Sequence, residues 1–236
     1  MVDTAPVVFG SAFLVNTRSP DAIIYNDQSV LEMFHISGAF RVMHTVPGCD
    51  ITEFMSRAHY RQFRETMISM VLSTDLKVHF EHLSRLKTRV ATDAYASADR
   101  KDVLLLLGQA LHTSDISNPT KSNPLMMAWT QRVMAEFWLQ GDRERSLGMP
   151  ISAYMDRRHP AVSQCQMGFI NVIVKPLFVE WRKLLGGIVQ PAIDCLASSL
   201  QMWEMEGNAR AVGWEGLGAT CAESPSVQLR HTLSIR

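Results

Sequence analysis

VLLLLGQALHTSDISNPT, residues 103–120, runs from a stretch apolar on every side into a carboxylate, Asp115, with Asn118-Pro119 close behind. The leucines at 104–107 leave no polar face, so the segment reads as a central, buried helix covering about Asp99 to Ser114. An aspartate at the C-terminal end of such a helix sits at the negative pole of the helix dipole and needs a counter-charge or a donor. Two readings stand side by side. Asp115 closes the turn before an Asn118-Pro119 N-cap/N1 pair, or it holds a cation.

Working outward, helical periodicity dominates. A first helix spans residues 28–46. Ser56 caps a second, on which Tyr60, Phe63, Met67, Met70 and Val71 recur at three- and four-residue steps until Ser73-Thr74-Asp75. A further helix runs from about Lys77 through Leu86. After Pro124, Trp129, Val133 and Phe137 share a stripe, and Gln140-Gly141 reads as a stop before a charged, solvated loop, GDRERSLGMPIS (141–152). Apolar residues resume from Ala161 through Phe178, with Pro176 implying a kink or a break, and a last helix covers 190–206. No β-alternation and no internal repeat is present. The expectation is an all-α domain over residues 12–206, a divergent segment at 1–11 and a loosely ordered tail over 207–236.

Lys+Arg and Asp+Glu balance at 23 each, which leaves no electrostatic footprint for nucleic acid. Cys49, Cys165, Cys195 and Cys221 show no CxxC spacing, so neither a disulfide framework nor a zinc-thiolate site is expected and a cytoplasmic setting follows. No apolar run approaches the roughly 18 residues of a membrane span.

Three local patterns could carry chemistry. Gln166 and Phe169 lie three apart, so a face can offer an amide to the edge of a heterocycle and a ring to stack on it, with Gly168 leaving room. The plain alternative is a core phenylalanine beside a capping glutamine. Glu32 and His35 form an E-x-x-H pair; dimetal bundles use two such copies and only one occurs here, so an ordinary helix-face pair is the alternative. His79 and His112, in apolar context, read as satisfied core histidines.

In their order along the chain, LHTSDISNPTK, AWTQRVMAEFWLQGDRERSLGMPIS and QCQMGFINVIVKPLF resemble the catalytic domain of class I cyclic nucleotide phosphodiesterases. So do FLVNTRSPDAIIYNDQSVLE (13–32) and MISMVLSTDLKVHF (67–80). The resemblance implies a compact, HD-domain-like all-α fold with a dimetal centre, zinc plus magnesium or manganese, that hydrolyses cAMP or cGMP to the 5′-monophosphate. It also implies that Asp115 ligates metal and Asn118 faces the pocket. Gln166 would bond the purine, Phe169 stack on it, Val133 face it as the other apolar jaw, and Trp129 and Thr130 lie nearby. Glu32, Thr74 and Asp75 resemble groups that hold metal-bound waters or flank the site. A homodimer stands beside the monomer as the expected assembly.

Departures from the pattern are specific. Leu31-Glu32-Met33-Phe34-His35 replaces the family's L-E-N-H-H, Met126 stands where many members have tyrosine, and Tyr154 and Cys165 are further changes. Counting back from Ala12 puts Val2 and Pro6 at metal-ligating and flanking histidines, Ser11 at an asparagine, and only Asp3 at its aspartate. The upstream H-N-x-x-H motif, with its proton-donating histidine, has no counterpart. The resemblance therefore implies an N-terminally truncated, impaired catalytic region; the alternative is a non-catalytic paralogue, a helical interaction module or a nucleotide-binding decoy.

Overall fold

The computed structural model describes residues 9–92 and 99–208. Among them there is no strand; ten α-helices follow one another, joined by short 3₁₀ turns and one π-turn. Asp3, the divergent residues 1–8 and nearly all of the expected loose tail lie outside the described residues.

The chain starts with two short helices, α1 (Ser11–Asn16) and α2 (Pro20–Ile24), which pack on α3 (Val30–Thr45). Helix α4 (Arg57–Leu72) begins where Ser56 accepts the His59 amide at 3.2 Å. A 3₁₀ turn, Leu76–Val78, is capped by Asp75 and leads into α5 (His79–Ala91), which runs a turn beyond the expected Leu86. Asp99 accepts two amides, Lys101 and Asp102, at 2.8 and 2.9 Å and starts α6 (Arg100–Asp115).

Helix α6 is not buried all round. Leu105 is in the core, but Val103 and Leu107 are 44% and 38% exposed. Among the described residues α6 packs on α4 and, less, on α5. An apolar run reports what a face can tolerate, not how many neighbours it has.

Helix α7 (Asn123–Ser146) also departs from expectation, because Gly141 does not end it. A Cβ at Gly141 would overlap the Met155 carbonyl, so the glycine is there to let the returning chain lie against the helix. Of the residues read as a solvated loop, 141–146 are helical while 147–152 form no helix, and Glu144 is only 2% exposed. Its carboxylate accepts Gln140 Nε2 at 2.9 Å and the Ser152 amide and hydroxyl, each at 2.7 Å. Gln140 Oε1 in turn accepts the Gly10 amide at 2.9 Å, fastening the start of the described chain to α7.

Helices α8 (Val162–Gly168), α9 (Lys175–Leu185) and α10 (Gln190–Asn208) complete the fold. Pro176 produces no break: a π-turn, Phe169–Val174, precedes it and absorbs the lost backbone bond. Val162–Gly207 is, by length and composition, apolar enough to cross a membrane, which the sequence reading did not anticipate. Val172, Val179 and Ile188 within it are exposed, while Ile170, Val174, Leu177 and Trp203 are fully buried. They join Leu86 of α5, Met126 and Met134 of α7, and Trp181 of α9 in one cluster. Trp181 Nε1 donates to Thr113 Oγ1 at 2.7 Å, tying that core to the last turn of α6 just before Asp115.

Candidate functional site

Asp115 ends α6, and its side chain makes no hydrogen bond among the described residues, so it caps nothing. The following 3₁₀ turn, Asn118–Thr120, takes Ser117 rather than Asn118 as its N-cap. Instead Asp115 lines an open cavity of about 310 Å³ with Leu31, Glu32 and His35 from α3, Thr74 from the turn after α4, and Leu111 and Ser114 from α6. Three segments distant in sequence thus put two carboxylates and an imidazole around one space.

The electrostatics of that space are strained. Burial, and then the charges of Asp75 and Asp115, hold Glu32 above the usual carboxylate range, against its backbone hydrogen bond and His35. Burial also raises Asp115, with His35 drawing it back. Glu32 Oε2 is buried with no hydrogen-bond partner. Asp75 stays nearby, held by Ser29 Oγ and the Lys77 amide, both at 2.8 Å.

The donor set does not close a metal site. Among the described residues no group of three or more His, Cys, Asp or Glu side chains converges to hold an ion, whereas zinc takes about four ligands. Asp115 can offer one carboxylate; the structure assigns no step through a metal. His35, weighed from sequence as half of an E-x-x-H pair against an ordinary helix-face pair, is the cavity component not placed beside Asp115. The E-x-x-H spacing was the available signal.

Behind the cavity lies a second feature. His79, which opens α5, and His112 of α6 are both fully buried and meet Nδ1 to Nε2 at 2.9 Å. Burial first, then His112 and His82, push His79 down to about 4. Burial and His82 lower His112, with a hydrogen bond donated to the Thr74 backbone carbonyl opposing. The pair therefore stays neutral and pins the start of α5 to the turn of α6 that precedes Asp115. They are core histidines, as expected, but not fully satisfied ones: His79 Nε2 has no partner.

Gln166 sits in the buried stripe of α8 and the π-turn, between Val162 and Ile170, and is 3% exposed. Its Oε1 has no hydrogen-bond partner. An unpaired buried carbonyl costs about 1–3 kcal/mol, so its presence in an otherwise apolar stripe asks for a ligand. Phe169 opens the π-turn, half-buried, and Gly168 before it is exposed, a Cβ there meeting nothing within 4 Å.

The flanking residues are placed less uniformly. Val133 is half-buried on α7, while Trp129 is exposed with the Arg132 guanidinium 5.3 Å above its ring. Thr130 is fully buried and donates to Met126 Sδ at 3.6 Å, so both belong to the core. Asn118 is half-buried in a turn that packs between α7 and α10. Cys165, beside Gln166, is half-buried and its thiol is raised by burial. Tyr154 is exposed in the loop after α7, at φ 65°.

The comparisons with known proteins bear on this arrangement. The family described as 3′5′-cyclic nucleotide phosphodiesterase matches residues 9–196. A probable 3′,5′-cyclic-AMP phosphodiesterase, pde-4, of Caenorhabditis elegans is 37% identical over 202 residues, covering 83% of this chain and 30% of the worm protein. A dual specificity calcium/calmodulin-dependent 3′,5′-cyclic nucleotide phosphodiesterase 1C of Mus musculus is 40% identical over 182 residues, 77% of this chain and 25% of its own. The crystal structure of the phosphodiesterase domain of Salpingoeca rosetta rhodopsin phosphodiesterase superposes with a TM-score of 0.79 at 27% identity, covering 85% of this chain and 61% of that one. The chain thus spans a quarter to a third of the length of these curated relatives. With most of its residues matched and the all-α fold shared, the chain belongs to the 3′5′-cyclic nucleotide phosphodiesterase family.

Proposed function

We propose that this chain carries the base-recognition side and one acidic wall of a centre that hydrolyses 3′,5′-cyclic nucleotides to 5′-monophosphates. The observation that carries the reading is the orphaned Gln166 Oε1, buried beside Phe169. An amide at that place accepts from and donates to a purine edge, and by rotating it serves adenine or guanine. Stacking on Phe169 adds about 1–3 kcal/mol. Val133 is the facing apolar wall, with Asn118, Trp129 and Thr130 flanking. Asp115 is the carboxylate offered to metal, Asp3 a second from outside the described residues, and Glu32, Thr74 and Asp75 line or flank the same space.

The family's zinc and magnesium or manganese would supply the hydroxide and neutralise phosphate when bound. A second reading, a nucleotide-binding chain without hydrolysis, is favoured by the failure of Glu32, His35 and Asp115 to converge on one point. Cys49, Cys165 and Cys195 are free thiols, which supports a reducing, cytoplasmic setting.

The test is calorimetric titration of cAMP and cGMP into the chain and its Gln166→Ala variant, followed by assay for 5′-AMP and 5′-GMP with zinc and magnesium present. Binding lost in the variant, with product formed, supports hydrolysis. Binding without product supports the second reading, and no binding by the parent chain removes both.

A further inference from the structure

We propose that the loop between α3 and α4 docks the chain on an anionic lipid surface, with Ile51 and Phe54 entering the interface and arginines of α4 lying against the headgroups. Residues 46–56 read VPGCDITEFMS. In that loop the usual order of side chains is inverted: Thr52 is buried, while Ile51 is 71% and Phe54 95% exposed. Met55, next to Phe54, is exposed too. The inversion is held in place. Asp50 Oδ1 accepts the Thr52 amide at 2.8 Å and its hydroxyl at 2.5 Å. His44 Nδ1 lies 3.4 Å from Asp50 Oδ2 and its Nε2 2.9 Å from the Tyr60 hydroxyl, so the end of α3 and the first turn of α4 clamp the loop between them. The Met55 amide donates to the Thr52 carbonyl at 2.9 Å, and Ser56 then caps α4. A loop so pinned cannot turn Phe54 inward, and the ring leaves water only by entering something outside the molecule.

The charges say what that is. Arg57, Arg61 and Arg64 follow at four- and three-residue steps and so share the face of α4 that leads away from the loop. Arg57 and Arg61 are exposed, and no ion pair among the described residues engages them. The Arg64 guanidinium lies 4.2 Å over the Phe40 ring, which keeps this face beside α3, where Arg41 is exposed as well. Opposing them are Asp50, already bonded to Thr52, Glu53 in the loop, and Glu65, paired to Arg100. An apolar tip backed by unpaired arginines has both parts of an interfacial anchor: the tip supplies insertion and the cations the attraction to anionic lipid. The loop shares no residue with the Asp115 cavity and joins α3 about 15 Å along the helix from His35, so docking there leaves that cavity uncovered.

The experiment is flotation of the full chain with large unilamellar vesicles through a sucrose step, in which bound chain rises with the lipid and aggregate stays below. The vesicles are phosphatidylcholine alone, or phosphatidylcholine with about one-third phosphatidylserine. The expected result is flotation with the phosphatidylserine vesicles at least about tenfold above phosphatidylcholine alone, falling as salt screens the arginines. Ile51→Ser combined with Phe54→Ser should lower it at least about tenfold, with the fold checked by circular dichroism. Arg57→Gln combined with Arg61→Gln should remove the preference for phosphatidylserine. A parent chain that stays below the vesicles overturns the proposal, as does flotation unchanged by the two serine substitutions. Equal flotation with both vesicle types, or a preference that survives the two glutamine substitutions, overturns the anionic surface as the partner.

Discussion

Replacing His79 by glutamine should flatten the acid side of this protein's stability profile. In the fold His79 is fully buried against His112, and burial, then His112 and His82, depress its pKa from 6.5 to about 4. The unfolded chain takes up that proton near pH 6.5, while the native chain refuses it until about pH 4. His79 therefore favours the fold fully above pH 6.5, and that advantage drains away as pH falls toward 4, where the native imidazole also protonates. The gap between the two values corresponds to about 3 kcal/mol. His82 and His112 are shifted in the same direction and add to the acid loss. Glu32, Asp115 and Glu136 are raised by burial and oppose it, gaining stability as the pH falls through their ordinary range. Because these other groups titrate in both chains, the difference between parent and His79→Gln isolates the one imidazole.

The assay is urea unfolding of both chains at about pH 7.5 and about pH 4.5; with slopes of about 1–3 kcal/mol per molar urea, the parent's midpoint should fall about 1–3 M further than the variant's. The variant will start lower, having lost a packed ring, so the readout is the change with pH and not the level. Parallel midpoint shifts in the two chains would refute the reasoning. So would a parent chain that gains stability on acidification relative to the variant.

Gly141→Ala should cost at least about 3 kcal/mol by chemical denaturation, because the added Cβ meets backbone, the Met155 carbonyl, and not a side chain that can turn away. Glu144→Ala strands three donors, from Gln140 and Ser152; about 2–4 kcal/mol should be lost, and limited proteolysis should cut residues 147–155 sooner than in the parent. Gln166→Met keeps the volume and removes the orphaned carbonyl, so the melting temperature should hold or rise while affinity for cAMP drops at least about tenfold. A fall in both would mark Gln166 as an ordinary core residue.

What could be read from the sequence was what rests on local chemistry. The cap at Ser56 is a side chain bonding an amide three residues on, and its helix starts where that residue stands. The errors arose where a residue answers to a distant partner. Gly141 looked like a stop because a glycine's reason can lie on another segment, here the carbonyl of Met155. Glu144 looked solvated among charged neighbours, yet it is the buried acceptor for a loop eight residues later. Pro176 looked like a break because the π-turn that accommodates it leaves no mark in an apolar run.

Asp115 shows the same division at the site. Its position at the end of an apolar helix marked it as needing a partner, and that need was legible. Periodicity did not show the partners, because Glu32 and His35 lie some eighty residues earlier on α3 and share no period with α6; Glu32 was expected there only through the family resemblance, and His35 was not. Their arrival beside Asp115 does not discharge the need: a carboxylate, another carboxylate and one imidazole leave Glu32 and Asp115 held above their usual range and Glu32 Oε2 unpaired. A cavity of about 310 Å³ in that condition favours a cation or a donor-rich ligand over water alone, since either would lower both carboxylates at once. Gln166 presents the complementary need, an acceptor without a donor, on a separate helix. Two unpaired acceptor sites, one able to face a cation or phosphate-bearing group and one a base, are the physical content that family membership lends to this chain.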